Sequence, residues 1–535
     1  MSFISYLING ISLGSVYALI ALGYTMVYGI AKMLNFAHGD VIMVGAFITY
    51  TMCSTMGLSP VIGVLAAVIA CTLLGMAIEK VAYKPLRKAS SPLAVLITAI
   101  GVSYLLQNVA LLIFGANAKA FTSVVSVPAV KLADGQINIT GETMSNASYH
   151  TDEVCLNGLY IGGDSVYSIK DSAFDMVGYG IDDFAGNGSA IMVNDTAKCE
   201  MDNVHVTTHG VIRPCTVVTG NGTLIVRNCI LDAKGGEIPK SYVPRIASGM
   251  MEPPPGLKLG GNCRTHLSMG NSRAYFYDSK ILAHSWAALS TDGSNGDLYL
   301  EANNCDVVCE TVGYGTYADN GCHNVLNDCR ITVDTHVAII AGDAWVKFSG
   351  GTVKSNQYGA MLHGIRGHYT ETTECHITGG TWDVGEALFF VKSENVYLKL
   401  DGAKVKTGKY LVHAIVNDDD AATKVPDEMK LKCYGVNAVI ANGDYAGDIV
   451  NDDTDRTMNV SILNATVKGV IADAYISLEG SSWTATGDSS VCLVGDVKAQ
   501  QIDAPAGVVI SAAAGEGCTL SGEYLLTSGG KLIVK

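Results

Sequence analysis

Residues 4–30, ISYLINGISLGSVYALIALGYTMVYGI, contain no charged side chain. A helix of that length crosses the roughly 30 Å hydrocarbon core of a bilayer with some tilt. The run exceeds the apolar core of a secretory signal, and it has neither a basic flank nor a small-residue cleavage site. Further apolar runs cover about 41–56, 60–78 and 93–115. Residues 1–116 are therefore expected to form an all-α transmembrane bundle of about four helices, with Gly14, Ser15, Ala18, Ala21 and Gly23 allowing close backbone approach.

Orientation follows from the cations. Lys80, Lys84, Arg87 and Lys88 lie between the third and fourth runs, and the positive-inside rule places them in the cytoplasm. Counting back puts Lys32 inside and the N-terminus outside; counting forward puts everything after about residue 116 outside. Residues 1–130 hold six basic residues against two acidic ones, Asp40 and Glu79, a balance of +4. Residues 131–535 thus carry −19 within the chain's −15. That acidity excludes nucleic acid as a partner and argues against anionic lipid at the second unit, while membrane lipid surrounds the first. Of 15 cysteines only Cys53 and Cys71 precede residue 130, and the remaining odd number without compact spacing argues against a disulfide framework.

After a stretch at 117–149 read as an extracytoplasmic linker and junction, the pattern changes to short β-type runs broken by Gly, Asn and Asp. Segments such as MDNVHVTTHGVI at 201, EANNCDVVCETVGY at 301, LNDCRITVDTHVAII at 326 and FSGGTVKSNQYGAML at 348 repeat one design. The turn residues Asn203, Asn228, Asn304, Asp328 and Gly351 are separated by 25, 76, 24 and 23 residues. The interval of 76 reads as three periods, with Ser279 marking a missing member. This period signals an all-β, right-handed parallel β-helix solenoid over 150–480, in which each coil buries its face only by stacking on the next. Residues 481–535 read as final coils or a β cap.

Three stretches carry a resemblance: SLGSVYALIALGYTMVYGI at 12–30, MLNFAHGDVIMVGAF at 33–47 and EKVAYKPLRKASSPLAVLITAIGVSYLLQN at 79–108. In order and spacing they resemble the permease subunits of bacterial branched-chain amino-acid ABC importers, from near Met1 to about Thr143. The resemblance implies a bacterial inner membrane, a second permease subunit, two cytoplasmic ATPases using ATP and an extracytoplasmic amino-acid-binding protein. It also implies a family motif at Asn35, Phe36, Ala37, His38 and Gly39. Such permeases continue through more membrane helices and a loop that docks the ATPase. Here no apolar run of about 18 residues follows residue 115, so the chain is expected not to transport alone. Asn35, His38 and Asp40 read either as a polar site at membrane depth or as a helix end, with Asn35 capping and the other two in water; the helix end is favoured.

The second unit resembles parallel β-helix proteins of the pectin-lyase-like kind, a fold that hosts many functions. Cys229, Cys305 and Cys329 follow the turn residue and are expected to stack inward as small apolar side chains, not to bind metal. Trp286, His336, Tyr358 and Tyr410 are assigned to one column, either a stripe for sugar stacking or an aromatic stack that stabilises the helix. Asp292, Asp319, Asp343 and His363 occupy consecutive coils. In adjacent coils such carboxylates could act as a glycoside-cleaving pair or hold calcium, although tight turns use the same residues. Arg366 and His368 in IRGH, and Asp182 and Asp183 in GIDDFAGNG, are looser candidates. Three functions compete: a segment of an amino-acid importer, a membrane-anchored surface β-helix that binds or cleaves polysaccharide or host glycan or acts as an adhesin, and a chimera without joint function.

Overall fold

A computed structural model describes residues 2–31, 37–55, 58–88, 92–114, 143–180, 182–244, 249–254, 257, 259–293, 296–364, 372–393, 395–418 and 434–535. The chain divides into two compact units, Met1–Val127 and Pro128–Lys535.

Among the described residues the first unit has four α-helices: α1 (Ser2–Ala31), α2 (His38–Tyr50), α3 (Pro60–Ile78) and α4 (Pro92–Phe114). Proline opens α3 because the first helical N–H has no partner to lose. A π-turn at Thr51–Thr55 prolongs α2, and Glu79–Tyr83 prolongs α3. Two described segments, Val61–Leu86 and Ile97–Phe114, are long and apolar enough to cross a membrane; Gly14–Gly29 is shorter and apolar. Leu19, Val61 and Leu112 point outward at 70%, 69% and 85% exposure, which water would penalise and lipid would not. Glycine sets the contact of α2 with α3: a Cβ on Gly63 would lie 2.6 Å from the Cys53 sulfur.

The second unit is a stack of parallel strands. Among the described residues its first strand is Thr143–Ser145, with Met144 opposite Ile169, ahead of the boundary read at 150. One full coil illustrates the design. Leu298–Asn303 belongs to the first sheet, Asp306–Cys309 to the second and Gly313–Asp319 to the third. Each pairs in parallel with its successor, Cys322–Asn327, Arg330–Val333 and His336–Ala341. The first sheet alternates, Leu298, Leu300 and Ala302 inward and Tyr299, Glu301 and Asn303 outward, as the two-residue period of a half-buried strand requires. The third sheet does not alternate, because every residue of Gly313–Asp319 is buried. Its outer face is covered by Met250 and Leu257, which belong to an insertion at 234–263.

A left-handed residue joins the first sheet to the second in successive coils: Asn203, Asn228, Asp278, Asn304 and Asp328 have φ of 50–52°, and the pair Gly350 and Gly351 follows at 68° and 72°. Asn and Asp tolerate this region because their side chains bond locally. The Asn304 amide donates to Asp278 Oδ1 at 2.7 Å, and Asn203 donates to Asp171 Oδ1 at 2.6 Å, so the turns also bind coil to coil. Two spacing readings change. Asp278, not Ser279, holds the turn, and the 76-residue interval is two coils, one of them lengthened to 50 residues by the insertion. Ser279 and Gly351 belong instead to the next column, with Cys229, Cys305 and Cys329. There the side chain donates to the carbonyl two residues back: Ser279 Oγ to Tyr277 at 2.7 Å, Cys305 Sγ to Asn303 at 3.3 Å and Cys329 Sγ to Asn327 at 3.4 Å. Burial pushes the Cys229 thiol up to about 11, which keeps it protonated.

Beyond residue 481 the stacking continues through Ser482–Thr484, Ser489–Leu493 and Val509–Ala514. An antiparallel pair follows, Gly522–Leu525 with Lys531–Val534.

Candidate functional site

Register decides which of the acidic residues meet. Thr291 pairs with Ala318, which brings Asp292 and Asp319 onto neighbouring strands about 4.8 Å apart. The next positions in this row are Ala341 and His363, since Asp319 pairs with Ala341 and Ala341 with His363. Asp343 lies two residues further on and is exposed, so it does not join the row. Among the described residues no three carboxylate, histidine or cysteine side chains converge as a metal ion requires. Arg366 and His368 lie outside the described residues.

The group that organises this row is Arg264, the first residue after the insertion. It is 3% exposed; its Nη2 lies 2.9 Å from Asp183 Oδ2 and its Nη1 3.0 Å from Asp292 Oδ2. Its guanidinium lies 4.6 Å from the centre of the Trp286 ring, a cation–π contact. Asp182 caps the short 3-10 helix Asp183–Ala185, accepting from Phe184 N at 3.1 Å, and thereby delivers Asp183 to Arg264. Burial raises Asp183 from 3.8 to about 6 against the pull of Arg264. Burial, then the charge of Asp292, holds Asp319 well above the usual carboxylate range, while Gly293 N at 2.7 Å and Tyr317 Oη at 3.1 Å donate to it.

Two neighbouring carboxyl groups, one paired with arginine and one whose ionisation burial disfavours, are the raw material of acid–base chemistry. Access is the obstacle. Asp319 is 8% exposed, and Trp286, Tyr314 and Tyr317 pack with Met250 and Leu257 over the same face. The cluster binds the insertion, the segment around Asp183 and two coils together.

The aromatic column also differs from its sequence reading. His336, Tyr358 and Tyr410 share a column through Ala387, but Trp286 pairs with Gly313, one position away. Trp286 is buried beneath Arg264, and His336 is buried as well. The rings cover one another: His336 stacks on Tyr358 at 5.1 Å, Tyr358 on Phe390 at 4.7 Å, and Tyr410 on His413 at 4.1 Å. Faces engaged in this way are not free for sugar rings, because stacking needs an open π-face.

A different outward column went unread. On the first sheet Arg273, Tyr299, His323, Trp345, Glu374 and Tyr397 are successive partners, all partly exposed. Each stands five residues before its coil's left-handed turn residue, and that offset was available in the sequence.

In the first unit Asp40 is buried and accepts from Gln107 Nε2 of α4 at 3.0 Å, and His38 packs edge-on against Tyr24 at 5.6 Å. Asp40 is therefore not in water, contrary to the helix-end reading. The residue preceding α2 is the buried Ala37, without a side-chain cap; Gly39 lies in the first turn, and Asn35 and Phe36 lie outside the described residues.

Residues 6–141 match the family described as branched-chain amino acid transport system / permease component. The high-affinity branched-chain amino acid transport system permease protein BraD of Pseudomonas aeruginosa is 47% identical over 126 residues, 22% of this chain and 41% of the relative. The corresponding LivH proteins of Salmonella typhimurium and Escherichia coli are 43% and 41% identical over 129 residues, 23% of this chain and 42% of theirs. The chain spans about two fifths of the length of these relatives, and the similarity falls wholly in its N-terminal part. No solved structure matches the chain.

Proposed function

We propose that this chain is an outward-facing β-helix held in a bacterial inner membrane by permease-type helices, and that it does not import amino acids by itself. The observation that supports this most is the place of the break: permease similarity runs to residue 141, and the first described strand of the stack is Thr143–Ser145. The sequence that follows is committed to stacked coils, and among the described residues no apolar helix of spanning length lies beyond Phe114. Orientation rests on Lys80, Lys84, Arg87 and Lys88, which favour a cytoplasmic connection before α4 and so an outward exit after it. The family implies ABC-transporter partners in general; a second permease, two ATPases and a binding protein would be the partners if the helices still assembled. Leucine uptake in cells lacking other branched-chain importers tests the reading. No uptake above background is expected, and ATP-dependent uptake by this chain would overturn it.

A second reading, two unrelated pieces joined by rearrangement or in assembly, is favoured by the same narrow boundary and by Met144 within the first described strand. Continuous reads across the codons for residues 135–155 in the source genome would exclude an assembly join. Cleavage of polysaccharide at Asp292 and Asp319 is the weaker of the solenoid readings, because the acid of that pair lies beneath a packed layer.

A further inference from the structure

Two cysteines of the column after the turn are neighbours in space. Asp306 pairs with Arg330 in parallel register, and Arg330 N donates to the Cys305 carbonyl at 2.8 Å. This sets Cys305 and Cys329 side by side on adjoining coils, about 4.8 Å apart at one strand spacing. Both belong to the core, at 1% and 4% exposure, and their thiols hydrogen-bond to each other. Three other pairs, Cys199 with Cys229, Cys215 with Cys263 and Cys492 with Cys518, interact through charge alone.

We propose that Cys305 and Cys329 close as a disulfide when the solenoid folds outside the cytoplasm, where thiols are oxidised. The location rests on the outward-facing reading above. A strand spacing of about 4.8 Å lies inside the roughly 4.4–6.8 Å between Cα atoms that a disulfide bridges, and both side chains leave their strands on the inner face. The oxidant is the disulfide form of an extracytoplasmic thiol–disulfide oxidoreductase. One cysteine of the pair, as thiolate, attacks an oxidant sulfur to form a mixed disulfide and releases the other oxidant sulfur as thiolate. The second cysteine then attacks the sulfur of the first, and the bond to the oxidant breaks. Two thiols become one Sγ–Sγ bond, two electrons pass to the oxidant, and both protons end on its dithiol. Since the finished stack shuts both thiols from solvent, the exchange belongs to folding, before the coil at 306–328 closes over them.

The bond spans one turn of the solenoid. Between its ends lies Gly313–Asp319, which carries Tyr314, Tyr317 and Asp319. A slip of this coil would carry Asp319 away from Asp292, whose row is set by Thr291 next to Asp292 pairing with Ala318. The cross-link fixes that register covalently. In the reduced chain serine is an adequate substitute at either position, because a hydroxyl also donates to the carbonyl two residues back, as Ser279 does. What serine cannot supply is the link.

Cleavage before aspartate with Asp-N separates the two residues, placing Cys305 in 297–305 and Cys329 in 328–333, with Cys309 and Cys322 on other peptides. The full chain, purified in detergent, is unfolded in urea, diluted into a glutathione redox buffer, blocked with N-ethylmaleimide and digested. The two peptides are expected as one species that reduction separates; Cys305 and Cys329 left free, or joined to other cysteines, would overturn the proposal. Chain from cells blocked with N-ethylmaleimide before lysis is expected to hold the same link. A link that forms in glutathione but is missing from cells upholds the pair and counts against the outward-facing reading instead. Reduction should lower the urea midpoint of the wild-type solenoid and leave that of the Cys305→Ser/Cys329→Ser variant where it is. A variant that shifts as much as the wild type would overturn the assignment to this pair.

Discussion

Replacing Arg264 with methionine removes the one cation between Asp183 and Asp292 while keeping much of its stem volume. Taking one partner from a buried ion pair destabilises by about 3–5 kcal/mol, because a charge is left without compensation. Asp183 makes the loss depend on pH. Asp183 has a folded pKa of about 6 against an ordinary 3.8, so the folded chain binds the extra proton between those values. Its contribution to stability is therefore largest below 3.8 and declines as pH rises through 6, by about 3 kcal/mol at 1.36 kcal/mol per unit. Asp319 is shifted in the same direction. At pH 7 the Arg264→Met variant should lose about 3–5 kcal/mol; at pH 4.5 it should lose about half of that, because a protonated Asp183 does not need the arginine. The chain's tryptophans, Trp286, Trp345, Trp382 and Trp483, all lie in the solenoid, so urea unfolding followed by tryptophan fluorescence reports that unit alone. A loss below about 1 kcal/mol at pH 7, the scale of an exposed pair, or a loss that does not shrink on acidification, would refute the reasoning.

Asn304→Ala removes both a residue suited to φ 52° and the bond to Asp278, and should lower stability by about 1–2 kcal/mol in the same assay. Asn304→Gly should recover the backbone part. Cys305→Ser keeps a donor for the Asn303 carbonyl and, in reductant, should change stability by less than about 1 kcal/mol, whereas Cys305→Leu overpacks the column and should cost about 1–3 kcal/mol. Trp382→Ala empties a position that is 1% exposed and should cost about 3–5 kcal/mol. Gln107→Leu strips Asp40 of its amide donor and should reduce the yield of folded chain in membrane fractions; an unchanged yield would mean that the pair is unimportant to assembly.

The helices and the solenoid were legible because each announces itself locally, by an uncharged run or by a recurring turn residue. The register was less so. Asp278 and Ser279 are adjacent polar residues, and only the pairing of strands tells which one holds the left-handed turn and which fills the cysteine column. The Asp row is half legible: Asp292 and Asp319 align, but Asp343 sits two positions further along a turn of the same length, since Asp319 pairs with Ala341 and His323 with Trp345. Arg264 could not be found, because its partners Asp183 and Asp292 lie far away in sequence on both sides and nothing in NCRTHLSMG marks it. Tyr299, Trp345 and Tyr397 lie in the strand before the turn, where no repeated residue type marks the column. Their offset before the turn residue would have revealed the column without coordinates.

Protease treatment of intact spheroplasts expressing the full chain tests the central claim most directly. With a tag at the C-terminus, the account predicts that external protease releases a resistant fragment of the size of the solenoid, residues 143–535, from cells that stay sealed. A chain that external protease leaves whole until the membrane is broken would place the solenoid in the cytoplasm and contradict the account. So would a tagged solenoid found only in the soluble fraction, separate from the helices.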